Sequence, residues 1–250
     1  MIELKNVCFT YAGGQADAGI KNIELTVSQG EVILLCGCSG CGKTTVTRLI
    51  NGLIPHYYEG ELSGTAKVLG HTVSETPLYE TARSVGSVFQ NPRSQFFNVD
   101  TDSELAFACE NLGMPEQEVR KRVRRAVREL SLEPLSGRSI FELSGGEKQK
   151  IACGSVSALN PDIIVLDEPT SYTDPENEAV VQEAISRLTK GKTLIVIAHR
   201  LSTITDSDQI VVVNKGLIQT KGTHEELLRE CSLYQLMWTA HMDAKEVKTA

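Results

Sequence analysis

Gly37-Cys38-Ser39-Gly40-Cys41-Gly42-Lys43-Thr44 follows directly on Glu31-Val32-Ile33-Leu34-Leu35-Cys36, an apolar run with the composition of a buried parallel strand. The octapeptide fits G-x-x-x-x-G-K-[ST] at every position. Its glycines let successive backbone N–H groups turn inward around phosphate oxygens. The helix-like Thr45-Val46-Thr47-Arg48-Leu49-Ile50 directs a positive N-terminal end at the same point. Lys43 is placed to reach the β- and γ-phosphates of a nucleotide, and the Thr44 hydroxyl to ligate Mg²⁺. A chance match is expected in roughly one chain per hundred of this length, and the flanking strand and helix make it rarer. Gly37, Cys38, Ser39, Gly40, Cys41, Gly42, Lys43, Thr44 and Thr45 are therefore expected to bind phosphate. Cys36, Cys38 and Cys41 lie close enough together for a metal site, but the loop backbone already has this other task. Cys41, at the mouth of the helix, is expected to be a reactive thiol shielded by nucleotide, and Cys36 a buried, inert one.

Outward from this loop, 250 residues suffice for one large α/β domain or two small ones. The net charge of −7 argues against a general nucleic-acid binder, which needs a basic surface. No apolar run approaches the ~20 residues that span a bilayer, and Met1-Ile2-Glu3-Leu4-Lys5-Asn6 lacks the apolar stretch of a secretory signal. A cytoplasmic protein is expected, with any link to a membrane passing through a partner. Seven cysteines, an odd number, fit reduced thiols rather than a disulfide framework.

A second apolar run, Ile163-Ile164-Val165-Leu166-Asp167, ends in a carboxylate, the Walker B arrangement in which Asp167 holds Mg²⁺. Glu168 follows, placed to orient and polarise an attacking water. Between the two strands stands Leu143-Ser144-Gly145-Gly146-Glu147-Lys148-Gln149, in which Ser144 is a natural N-cap and residues 147–159 read as the helix it opens. On physical grounds alone this is either a second anion site or an ordinary helix entry.

Leu143 to Gln149 resembles the signature motif of ATP-binding cassette (ABC) proteins. The resemblance implies that Ser144, Gly145 and Gly146 contact the γ-phosphate of ATP held by the opposite subunit of a head-to-tail dimer. Other elements of the family follow in order. Gln90, in Val88-Phe89-Gln90-Asn91-Pro92, resembles the Q-loop glutamine that senses metal and γ-phosphate. Ser171-Tyr172-Thr173-Asp174 resembles the D-loop, with Asp174 capping a helix from Pro175. His199, after the strand Thr193-Leu194-Ile195-Val196-Ile197, resembles the switch histidine. Tyr11, ending the alternating run Val7, Phe9, Tyr11, resembles the aromatic that stacks on adenine, and fits equally well as one more core aromatic.

The implied fold is α/β: a P-loop NTPase of the ABC nucleotide-binding type, read as a single domain over residues 1–242. Residues 1–30 are assigned to an antiparallel β subdomain, 31–90 and 160–222 to a RecA-like core, 93–158 to a helical subdomain, and 223–242 to a C-terminal helix. Residues 243–250 read as a disordered tail. Within the helical part, Pro115 to Leu130 places Val119, Val123, Val127 and Leu130 on one face. The other faces carry Arg120, Arg122, Arg124, Arg125 and Arg128, either a solvated face or one that meets acidic groups of a membrane partner. Thr223-His224-Glu225-Glu226 is a capping box, and Leu227, Cys231, Tyr234 and Trp238 follow on one helical face.

Up to Ser171 the chain resembles the ATPases of energy-coupling factor importers, on Phe9-Thr10-Tyr11, Phe89-Gln90-Asn91-Pro92 and Glu110-Asn111-Leu112-Gly113. From Asp174 it resembles exporter-type ATPases, on Asp174-Pro175-Glu176-Asn177-Glu178, Ala198-His199-Arg200-Leu201-Ser202-Thr203-Ile204 and Lys221-Gly222-Thr223-His224-Glu225-Glu226-Leu227-Leu228. This reads as a composite of two lineages joined within the D-loop, and it leaves the direction of transport open. The expected activity is ATP hydrolysis with Mg²⁺, carried by Glu168, His199 and Gln90, with Thr44, Gln90 and Asp167 at the metal. The expected partners are a second copy or a paralogous ATPase subunit, and a transmembrane transporter subunit on whose cytoplasmic face the chain sits. Two other classes stand beside this one: a non-transport cassette ATPase, and a folded composite that binds ATP without coupling.

Overall fold

A computed structural model describes residues 1–13, 18–169, 175–197 and 207–249, with side chains described except at 175–180 and 241–249. In chain order the first elements are β1 (Ile2–Tyr11), β2 (Gly19–Val27), β3 (Val32–Cys36), α1 (Lys43–Ile50) and α2 (Leu53–His56). Then come β4 (Gly60–Val68), β5 (His71–Thr72), α3 (Leu78–Ser84) and β6 (Val85–Val88). Three helices follow, α4 (Thr101–Asn111), α5 (Glu116–Glu129) and α6 (Gly145–Leu159), and after them β7 (Ile163–Asp167) and α7 (Pro175–Thr189). The chain closes with β8 (Thr193–Ile197), β9 (Gln209–Asn214), β10 (Leu217–Gly222), α8 (His224–Glu230) and α9 (Ser232–Thr249). It divides into two compact units, Met1–Thr81 with Thr193–Ala250, and Ala82–Lys192.

In the first unit, an antiparallel sheet has the order β2-β1-β4-β5. Ile2, Leu4, Val7 and Phe9 of β1 and Ile20, Ile23, Leu25 and Val27 of β2 are all buried, the alternation of strands with one face on a core. Sequence patterning confines this sheet to residues 1–30, whereas the structure extends it to β4 and β5. The reason is that β4 buries only Ala66 and Val68, too few apolar positions to register as an alternating strand. A second set of strands has β3 between β8 and β9, parallel to both, with β10 antiparallel to β9. Ile33, Leu34, Leu35 and Cys36 are buried, which a strand covered on both faces requires.

Thr223 and Glu226 form the expected capping box, and Leu227, Cys231 and Tyr234 pack with Leu34, Cys36, Ile210 and Val212. This C-terminal face thus covers the chain's own core. The single helix expected over 223–242 is instead two helices that part at Cys231, and α9 runs on to Thr249, past the end expected for it.

In the second unit, β6 and β7 pair in parallel, and α4, α5 and α6 pack around Cys109, Val119, Ala126 and Ala158. Asp100 caps α4 by accepting from Ser103 N at 2.9 Å. Two of the arginines of α5 also bond to a neighbouring helix: Arg122 donates to Leu159 O at 2.8 Å and Arg125 to Ser157 O at 3.2 Å. Both reach carbonyls at the C-terminal end of α6, where a cation complements the helix dipole; Ser157 O also accepts from Asn160 N. Arg187 does the same for α5, donating to Glu129 O at 3.0 Å.

Candidate functional site

In the first unit, the loop from Gly37 to Gly42 joins β3 to α1. Gly37 has φ 146°, and a Cβ there would stand 2.1 Å from Val213 O and 2.7 Å from Cys41 Sγ. Only glycine lets the loop run this close to β9. Cys41 N donates to Cys38 O at 3.3 Å, closing a tight turn with Gly40 at φ 73°. Gly42, at φ 110°, enters α1 without a side-chain cap. The first N–H groups of the helix are therefore not taken up by a capping side chain, and together with the turn they form a backbone nest suited to an anion.

Lys43 is buried, and its ammonium donates to Gly37 O and Cys38 O, both at 2.9 Å. The positive charge thus sits on the loop it is expected to serve. Ser39 is exposed and Thr44 half-buried at the head of α1. Thr45 Oγ1 pairs with the Tyr11 hydroxyl at 3.1 Å, and Arg48 Nη1 donates to the same hydroxyl at 3.1 Å. Arg48 also lies over the Tyr58 ring, 4.1 Å from its centroid, and Tyr11 meets Phe9 and Tyr58 edge-on. Tyr11 is thereby brought beside the loop and tied to α1. Arg48 and Tyr58 are given no role in the sequence reading; Arg48 lies three residues after Thr45, a spacing that puts the two on one helical face.

The cysteines need correcting. Cys41 is buried, with Lys43 Nζ 3.8 Å from its sulfur, and the exposed thiol of the loop is Cys38. Cys36 is buried as expected, and burial pushes its thiol up to about 12.

In the second unit, β7 ends at Asp167, half-buried, and the chain turns at Glu168. Glu168 has φ 47°, in the left-handed region, although it carries a Cβ and precedes Pro169. Gln90, after β6, donates from Nε2 to Glu168 Oε2 at 2.6 Å. A carboxylate only accepts, so the amide nitrogen faces it and the amide oxygen of Gln90 is turned to other donors or a cation. Seventy-eight residues apart in sequence, the two are neighbours here because β6 and β7 are paired strands.

Ser144 caps α6. Its hydroxyl oxygen accepts from Glu147 N at 3.2 Å, and Glu147 Oε2 accepts from Ser144 N at 2.7 Å. Gly145 and Gly146 form the first turn, and buried Lys148 donates back to Leu143 O. Arg138 Nη1 donates to Glu147 Oε1 at 2.8 Å. The Ser144 N–H, then Arg138, hold the Glu147 carboxyl below the usual carboxylate range. Arg138 is a third residue that sequence does not single out.

His199 and the D-loop residues Ser171, Tyr172, Thr173 and Asp174 lie outside the described residues. Thr44 offers a hydroxyl in the first unit, and Asp167 a carboxylate and Gln90 an amide oxygen in the second; each is a hard oxygen donor of the kind Mg²⁺ takes. Among the described residues no cluster of three or more His, Cys, Asp or Glu side chains could cage a metal by itself. No helix among the described residues is long and apolar enough to cross a membrane.

The family model described as ABC transporter matches residues 20–171. An ABC transporter ATP-binding protein of Treponema denticola is 48% identical over 220 residues, 87% of this chain and 45% of that protein. A match of that length takes in residues on both sides of Ser171, where the two resemblances change over. An energy-coupling factor transporter ATP-binding protein of Geobacillus kaustophilus is 35% identical over 231 residues, 92% of this chain and 81% of its own length. Among solved structures, a bacterial Atm1-family ABC exporter with ATP bound superposes with a TM-score of 0.80 at 27% identity, over 96% of this chain and 42% of that one. The chain spans less than half the length of several of the curated relatives it matches.

Proposed function

This chain belongs to the ABC transporter family, and from that premise we propose that it binds MgATP and hydrolyses it in a head-to-tail dimer, driving transport through a separate transmembrane partner. The second ATPase is another copy or a paralogue, and the pair sits peripherally on the cytoplasmic face of the membrane. The loop from Gly37 to Gly42 cradles the phosphates, Lys43 reaches the β- and γ-phosphates, and Tyr11 presents its ring to adenine. Thr44 and Asp167 hold Mg²⁺, which when bound offsets charge on the phosphates. Glu168 orients the attacking water and accepts its proton, with Gln90 and His199 beside the γ-phosphate. Ser144, Gly145 and Gly146 approach that phosphate from the opposite subunit.

The observation that carries this reading is the Gln90 amide on the Glu168 carboxylate at 2.6 Å. It holds a base at the end of a buried strand, one residue beyond the carboxylate suited to the metal. The test is phosphate release by the purified chain with MgATP. Glu168→Gln should keep nucleotide binding and lose about 10²-fold or more of the rate, the usual share of a general base. Lys43→Ala should instead weaken nucleotide binding. Parental turnover by Glu168→Gln would remove Glu168 from its role.

A further inference from the structure

Glu147 stands at the third position of α6, where its carboxylate complements the positive end of the helix. The same negative charge opposes any other anion that approaches that end. In the head-to-tail dimer, on which this inference rests, the approaching anion is the terminal phosphate of ATP held by a second copy. A glutamine would complete the same capping box without a charge, so the cap alone does not explain how Glu147 is held. Arg138 Nη1 lies 2.8 Å from Glu147 Oε1, while the other carboxylate oxygen takes the Ser144 N–H. Both side chains are partly sheltered, at 38% and 30% exposure, so the pair is neither fully solvated nor costly to bury.

Arg138 is fixed from outside α6. Its carbonyl accepts from Thr101 N at 3.1 Å and its N–H donates to Leu135 O at 3.4 Å, which anchors its backbone to the start of α4 and the turn before it. Ser144 Oγ uses a lone pair on Glu147 N, which leaves the O–H free to donate to a phosphate oxygen.

We propose that Arg138 is a positioning residue for trans engagement of ATP: it cancels the charge of Glu147 and locks that carboxylate into the cap, so that Ser144 meets the nucleotide of the other copy without repulsion.

The experiment uses the full chain carrying Glu168→Gln, with ATP-driven dimerisation followed by light scattering after size exclusion. Arg138→Gln should weaken the ATP-bound dimer roughly tenfold, the effect of one uncancelled charge several ångströms from a phosphate near a protein surface. The defect should shrink as salt rises. Adding Glu147→Gln should restore the dimer to within about threefold, because both charges are then gone; Arg138 as a mere structural tether predicts no such rescue. Glu147→Gln without the arginine change should dimerise at least as well as its parent, which tests the idea even if Arg138→Gln folds poorly in a thermal melt. A weaker dimer from Glu147→Gln, an indifferent Arg138→Gln, or a double variant that stays weak would each overturn the inference. No ATP-driven dimer from the Glu168→Gln chain itself would overturn the head-to-tail reading and this inference with it.

Discussion

Glu168→Ala and Glu168→Gly form a pair that isolates the backbone on which the proposed base is mounted. Both remove the carboxylate and its bond from Gln90, and they differ only in one methyl group. At an ordinary position glycine is the less stable of the two by about 0.5–1 kcal/mol, because the unfolded chain has more freedom to lose. Glu168 has φ 47°, where a Cβ crowds the carbonyl and costs roughly 1–2 kcal/mol. Pro169 adds a further restriction on the residue before it. Setting the entropy of glycine against the relieved crowding leaves glycine ahead by about 0.5–1 kcal/mol. For a chain of this size that is a rise of about 1–4 °C in thermal midpoint relative to alanine. Differential scanning calorimetry of the two variants measures it, and phosphate release should be abolished in both. If alanine proved as stable as glycine, Glu168 would not be strained, and the idea that the fold holds the base in an unfavourable conformation for the sake of its aim would fail.

Maleimide should label Cys38 first, with Cys36 and Cys41 unmodified in the folded chain, and MgATP should shield Cys38; peptide mass spectrometry reads all three thiols. Equal labelling of Cys38 with and without MgATP would count against the loop as the nucleotide site. Glu147, whose carboxyl is held low by Ser144 N–H and then Arg138, contributes stability that is present above the ordinary carboxylate range and lost as pH falls through its lowered folded value. Glu147→Gln should therefore flatten the acid limb of a plot of thermal midpoint against pH, and an unchanged limb would contradict the assigned cause.

Legibility in the sequence followed the range of the interaction concerned. β7 and β8 begin and end at the residues their apolar runs mark, because a strand covered on both faces needs such a run, and that information is local. Ser144 reads as an N-cap from residue type and position alone, and it does cap α6. β4 escaped because its place in the sheet comes from pairing with β1 rather than from its own burial. Cys41 shows the same limit at a single residue. Its position before a helix suggested exposure, but the close approach of Val213 O to Gly37 packs the loop against β9 and turns the thiol inward.

Glu168 and Glu147 carry the point from fold to chemistry. A glutamate before a proline reads as extended backbone, and nothing in Asp167-Glu168-Pro169 announces φ 47° or a Gln90 amide on the carboxylate. Glu147 reads only as the start of the helix that Ser144 opens, and nothing nearby announces that it closes a capping box or that Arg138 neutralises it. In both cases the acidic residue lies within a local pattern, while the group that sets its charge or its aim arrives from another element. Such a partner is selected by contact alone, so many cations or amides could serve and no fixed spacing betrays which one does. The pattern therefore places the acid, and only the folded chain identifies the group that controls it.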